Sequence, residues 1–322
     1  MTEPEIVAGI LWLALTAYAV LAGADFGGGV WDLLAGGPRA RDQRRAVAEA
    51  MGPVWEANHV WLIFMIVGLF TAFPSAFARL SLDLYVPFTI ALIGIVLRGA
   101  AFAFRAHGRE AVGAASAWGL AFGAASIVAP FSLATGLAAV ASGAADRWAT
   151  PFGVLIGLFA VAMCAYLAAT YLTVETEGTP LEPDFRRRAA AAGLVAGVAA
   201  IASLVVAPFA APPLASALFG RGLPLLILAL VNGPIALVAV WRSRPRIARF
   251  AVAAQVTLVL WAWAVGQWPH LVPPDITIQG AAAPSSTLTS LLVVIGIGML
   301  LLVPSLWFLF RVFKARNPAA IE

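Results

Sequence analysis

Three ionisable residues stand inside long apolar stretches. Asp25 falls in Gly23-Ala24-Asp25-Phe26-Gly27-Gly28-Gly29, Glu56 follows Gly52-Pro53-Val54-Trp55, and Arg98 lies seven residues before Arg105. A charge at the centre of a bilayer costs about 2.5–3.5 kcal/mol even on the lenient insertion scale, so each needs a partner or a task. One reading is an ion pair in which Arg98 neutralises one acid and ties helices together, because buried charges persist when they are paired. The other is proton transfer, with Glu56, Asp25 and His59 as the path and Arg98 as the buried charge partner. Two acids sharing one arginine leave one carboxyl that can stay protonated near neutral pH, as a relay requires. His59 stands three residues after Glu56, so on a helix the two share a face and fit one hydrogen-bonded chain. A lone histidine is also a common packing residue, and both readings stay open for His59.

These residues must be positioned by membrane helices. Hydrophobic residues make up 62% of the 322, and charged residues only 11%, against roughly a quarter in a soluble domain. With mean hydropathy at +0.93, polar side chains are too few to cover a water-facing surface. That excludes a soluble globular enzyme, a disordered chain and a nucleic-acid-binding domain. The composition predicts one all-α, polytopic membrane domain over residues 1–322. Crossing a core of roughly 30 Å takes about 20 apolar residues, and that window finds nine spans: 6–34, 52–73, 80–105, 112–142, 151–174, 189–208, 223–241, 247–268 and 288–313. Expected breaks fall at Gly36-Gly37-Pro38, Gly52-Pro53, Gly178-Thr179-Pro180, Pro212-Pro213 and Pro273-Pro274. The first segment opens with Glu3 and Glu5 and lacks a small-residue cleavage site, so it reads as a span and not as a signal peptide.

Basic residues set the orientation. With the N-terminus outside, 16 of the 20 lysines and arginines fall on the inner side, in the groups around Arg39–Arg45, Arg105–Arg109, Arg186–Arg188 and Arg242–Arg249 and in the C-terminal tail. Only Arg79, Arg147 and Arg221 fall outside, and Arg98 lies within a span. The positive-inside rule therefore predicts nine spans, an outward N-terminus and a cytoplasmic C-terminus. It also accounts for the pI of 9.8 without a nucleic-acid partner. At 1.5 Å per residue, Asp25, Glu56 and Arg98 lie within about 5–10 Å of the inner boundary, on three separate helices.

Other residues invite less. Cys164 is the single cysteine, which excludes an internal disulfide and any CxxC metal motif. Of three histidines, His107 and His270 fall in loops, and none of the five methionines pairs evidently with a histidine. A haem site in a helix bundle needs such pairs at membrane depth, so the chain is expected to build no multi-haem site by itself. The glycines after Asp25 lack GxxxxGK[ST] and read as a place of close helix approach. Asp32, Asp83 and Asp146 lie near span ends, where solvation is cheap, and receive no role. The acidic stretch from Glu175 to Asp184 reads as a solvated inner loop.

The motifs have a family look. Gly23–Gly29, Trp55-Glu56-Ala57-Asn58-His59-Val60-Trp61-Leu62-Ile63, the Leu97-Arg98-Gly99 to Phe104-Arg105 stretch and Pro269-His270-Leu271-Val272-Pro273-Pro274 resemble subunit II of cytochrome bd-type quinol oxidases. The match is strongest over the first ~105 residues. The resemblance implies two four-helix bundles plus one peripheral helix, in a bacterial plasma membrane. It implies a larger partner, subunit I, which holds two b-type haems, the d-type haem and the quinol site. The complex would oxidise quinol and reduce oxygen to water with protons from the cytoplasm. Subunit II would carry no haem, stabilise the complex and line a proton path through Glu56, with Asp25 and Arg98 at other charged positions of the pattern. A structural quinone in this subunit and a small accessory subunit belong to the same set of expectations, and membrane lipid and quinone are the small-molecule partners. The alternatives are a proton-coupled secondary transporter, for which broken helices and an internal repeat would speak, and a purely structural assembly partner.

Overall fold

The computed structural model describes the backbone of residues 1–107 and 117–315, and the side chains of all of these except 51–57, 106–107, 303, 306–307 and 309–315. Glu56 therefore lies outside the residues whose side chains are described, although its backbone is part of a helix. The chain runs through α1 (Glu3–Leu33), α2 (Ala40–Ala72), α3 (Pro74–Asp83), α4 (Tyr85–His107), α5 (Ala117–Ala141), α6 (Pro151–Glu175), α7 (Glu182–Ala210), α8 (Pro212–Phe219), α9 (Leu223–Trp241) and α10 (Pro245–Gln267). A short hairpin, β1 (His270–Val272) and β2 (Ile276–Thr277), then leads to α11 (Ile278–Ala281) and α12 (Ser285–Ala315).

Among the described residues, eight helices are long and apolar enough to cross a membrane, and Asn58–Ala72 with α3 makes a ninth if that bent pair is one span. Eight of the nine expected spans are thus recovered in order, and the second, 52–73, is matched only in part, by the first arm of the bent pair. One expected break is not recovered. The α2 helix runs unbroken through Gly52-Pro53, whereas the chain turns sharply at Phe73, where the two arms of the bent pair differ by 119°. Proline is tolerated in membrane helices because neighbours and local adjustment satisfy the freed carbonyl. Pro130, Pro208, Pro234 and Pro304 lie inside helices of this chain in the same way.

The architecture follows from which faces are small. Helices α1, α2, α4 and α5 form one group, and α6, α7, α9 and α10 a second; α1 joins them by packing on α6, and α5 packs on α6 beside it. The peripheral helix α12 leans on α1 and α2 alone among its well-formed contacts, and its Val294 and Leu300 are exposed. Between α1 and α6 the backbones approach so closely that a Cβ on Gly27 would overlap the carbonyl of Cys164. The glycine cluster is therefore a packing device, and buried alanines such as Ala168 and Ala169 continue it.

The two ends of the bundle differ. At the N-terminal end, Glu3 accepts hydrogen bonds from Ser285 (2.6 Å) and Thr289 (2.9 Å), and Gln279 donates to Thr2 (2.6 Å), so the start of α1 is tied to the α11–α12 region. At the basic end, Arg39 forks onto Asp184 (3.0 and 2.7 Å), and Gln43 both donates to Asp184 (3.0 Å) and accepts from Arg188 (2.7 Å). That corrects the expectation of a merely solvated acidic loop. Asp184 stands at the start of α7 and ties it to α2.

Candidate functional site

Helix α5 lies against both α1 and α4, and the long side chain of Arg98 reaches from α4 to Asp25 on α1. Its two terminal nitrogens donate to the two carboxylate oxygens, each at 2.7 Å, and one also donates to the Asp25 carbonyl at 3.0 Å. Its Nε donates to Ser126 Oγ of α5 at 2.9 Å, and that hydroxyl donates onward to the Phe122 carbonyl at 2.7 Å. Both charged side chains are only 4% exposed. The guanidinium also lies over the Phe122 ring, 4.7 Å from its centroid, and near Phe26 at 5.4 Å. Such a pair holds together in low dielectric because its two charges meet in a bidentate geometry with further hydrogen bonds around it. The backbone makes room for it: a Cβ on Gly29 would overlap Ser126 Oγ.

A second pair repeats the first one step along the same helices. Asp32 and Arg105 stand seven residues after Asp25 and Arg98, and Arg105 donates to both Asp32 oxygens at 2.9 and 3.0 Å. Equal offsets bring both pairs into register because α1 and α4 run the same way, about 10.5 Å per seven residues. Asp32 is 2% exposed and Arg105 14%. Arg105 covers the Phe122 ring from 5.1 Å, so the one ring lies beside both guanidiniums. Arg44 of α2 completes the neighbourhood by donating to the Ala35 carbonyl at 2.8 Å and to that of Asp32 at 3.4 Å. Asp32 was expected to be cheaply solvated at a span end. It is buried and paired instead, and the matching seven-residue spacing in the two segments was the signal available for it.

The Asp25–Arg98 pair also borders a small cavity lined by Tyr18, Ala22, Asp25, Phe26, Asn58, His59, Ile95 and Arg98. Three of the four expected site residues, Asp25, His59 and Arg98, thus meet around one space. Glu56 precedes Asn58 and His59 on α2 but lies outside the described side chains. Asn58, Ser126 and Phe122 were not anticipated; an asparagine or serine in an apolar helix carries no spacing signature of its own. His270 stands in β1, remote in sequence from this group, at the other end of the bundle. Among the described residues, no three or more His, Cys, Asp or Glu side chains are placed to hold a metal ion, and Cys164 is buried as a free thiol.

Comparison with known proteins decides the family. The model for cytochrome bd terminal oxidase subunit II matches residues 3–313. The chain belongs to that family. A chain of the bd oxidase from Geobacillus thermodenitrificans has the same fold, with a TM-score of 0.83 at 25% identity, over 97% of this chain and 99% of that one. The cytochrome bd ubiquinol oxidase subunit 2 of Bacillus subtilis (strain 168) is 37% identical over 100 residues, 30% of this chain and 29% of the relative. Cytochrome bd-I ubiquinol oxidase subunit 2 of Escherichia coli (strain K12) is 30% identical over 228 residues, 64% of this chain and 56% of the relative. A putative cytochrome bd menaquinol oxidase subunit II of Bacillus subtilis (strain 168) is matched almost end to end, 97% and 96%, at 22% identity.

Proposed function

We propose that this subunit II is a haem-free member of a bd-type quinol oxidase that stabilises the haem-bearing subunit I and lines a proton path from the cytoplasmic face. The reaction served is oxidation of a quinol coupled to reduction of oxygen to water. The observation that carries the reading is the meeting of Asp25, His59 and Arg98 around one small cavity, on α1, α2 and α4. In a soluble core such a cluster would be ordinary packing. Within membrane helices it is costly, and the chain spends three helices on it.

Each residue has a distinct part. Arg98 holds both oxygens of Asp25, and Asp25 lines the path beside the cavity with Arg98 as its buried charge partner. Passing the proton falls to Glu56 and His59, one turn apart on α2, where a carboxyl and an imidazole can alternately donate and accept. The basic end, with Arg39, Arg44, Arg186, Arg187 and Arg188, is assigned to the cytoplasm by the positive-inside rule, which leaves the N-terminus outside. A proton then enters at the end to which the cavity is nearer. Family membership favours this reading over a proton-coupled transporter.

The direct test is a reduced-minus-oxidised optical spectrum of the tagged chain, purified gently from its native membrane. A larger co-purifying subunit with b-type haem bands and the long-wavelength d-type band is expected. Haem bands that stay with this chain after the larger subunit has been stripped away would contradict the haem-free assignment.

A further inference from the structure

The cavity has one feature that the charged residues leave unexplained. Asn58 is 1% exposed, and neither its amide nitrogen nor its amide oxygen has a hydrogen-bond partner among the described residues. Buried amides are almost always satisfied, so this one calls for a partner beyond the described side chains, and a bound water is one. Asn58 lines the cavity, whose space open to the centre of a water molecule is about 10 Å³, close to what one buried water needs. The other residues on its wall that carry polar groups are Tyr18, Asp25, His59 and Arg98. A water needs two to four polar partners, and here it finds acceptors and donors together. We propose that Asn58 is a positioning residue that holds one ordered water in this cavity, and that this water links His59 to the Asp25–Arg98 pair.

Helix geometry gives the water its place in the sequence of groups. At about 100° per residue, position 59 lies between positions 56 and 58 around α2. Glu56 and Asn58 therefore stand on different sides of the helix, with His59 between them. A proton handed from Glu56 to His59 would meet the water next. The amide suits this task because it can donate and accept without holding the proton itself. The kinetic half of this inference rests on the proton-path reading; the binding half does not.

The test uses the intact oxidase. A map at a resolution that shows ordered waters should place density within hydrogen-bond distance of the Asn58 amide, while an empty cavity in a map that shows other buried waters would overturn the proposal. Asn58→Leu keeps the shape and removes both polar atoms, so proton uptake during oxygen reduction should slow by about tenfold at normal haem content. Asn58→Ser, which leaves a hydroxyl and room for water, should recover most of that rate. A wild-type rate in Asn58→Leu, with slow uptake in Glu56→Gln, would sink the water link alone. Normal uptake in both variants would sink the proton path with it, and the map would still decide whether the water is bound.

Discussion

The two ion pairs of α1 and α4 share helices, spacing and residue types, yet they differ in what surrounds them. Asp32–Arg105 lies toward the basic end, with Arg105 partly exposed and Arg44 beside it. Asp25–Arg98 is enclosed, anchored to Ser126 on a third helix, and borders the cavity that holds Asn58 and His59. The outer pair is a register pin that solvent can partly replace. The inner pair has no such substitute. Identical chemistry two turns apart is thus a fastening in one place and the wall of a polar chamber in the other.

The comparison can be broken most severely at its inner member. Arg98→Leu leaves Asp25 buried without its counter-charge, at a cost of about 3–5 kcal/mol. Assembly with the proposed haem-bearing subunit I and thermal stability should both fall sharply; normal yield and melting temperature would show that the pair is not structural. Asp32→Asn should cost less, about 1–3 kcal/mol, because Arg105 can turn toward water. Thermal melts of the two variants side by side measure the asymmetry directly, and equal losses would abolish it. Gly29→Ala sharpens the contrast, since its new methyl would overlap Ser126, which binds Arg98 and not Arg105. A loss of about 1–2 kcal/mol is expected, and it should shrink when Ser126 is already glycine, which lacks both overlapped atoms, as a double-mutant cycle would reveal. Arg39→Ala, at the half-exposed pair with Asp184, should lower the melting temperature only slightly, because Gln43 still holds Asp184.

The sequence made the spans legible because hydrocarbon demands long apolar runs, and it made Asp25 and Arg98 legible because charge is rare there. Proline misled: Gly52-Pro53 looks like a boundary, yet α2 passes through it, since a membrane helix with packed neighbours tolerates the lost hydrogen bond. Asp32 misled in the opposite sense, its position near a span end suggesting water when Arg105 from another helix covers it. The role of Ser126 depends on how α5 sits against α1 and α4, which no local pattern encodes. Asn58 was quoted within the family motif, but its isolation from every described partner is a fact of packing alone.

A proton path through α2 is tested most directly by Glu56→Gln in the assembled oxidase, followed by proton uptake and oxygen reduction in a single turnover. The substitution keeps size and hydrogen bonding and removes the titrating group. The path requires a complex that assembles with its full haem content and reduces oxygen more slowly, by roughly tenfold or more, with proton uptake limiting. Full haem content together with wild-type uptake and turnover would contradict it and leave this subunit a scaffold whose buried charges only hold helices together.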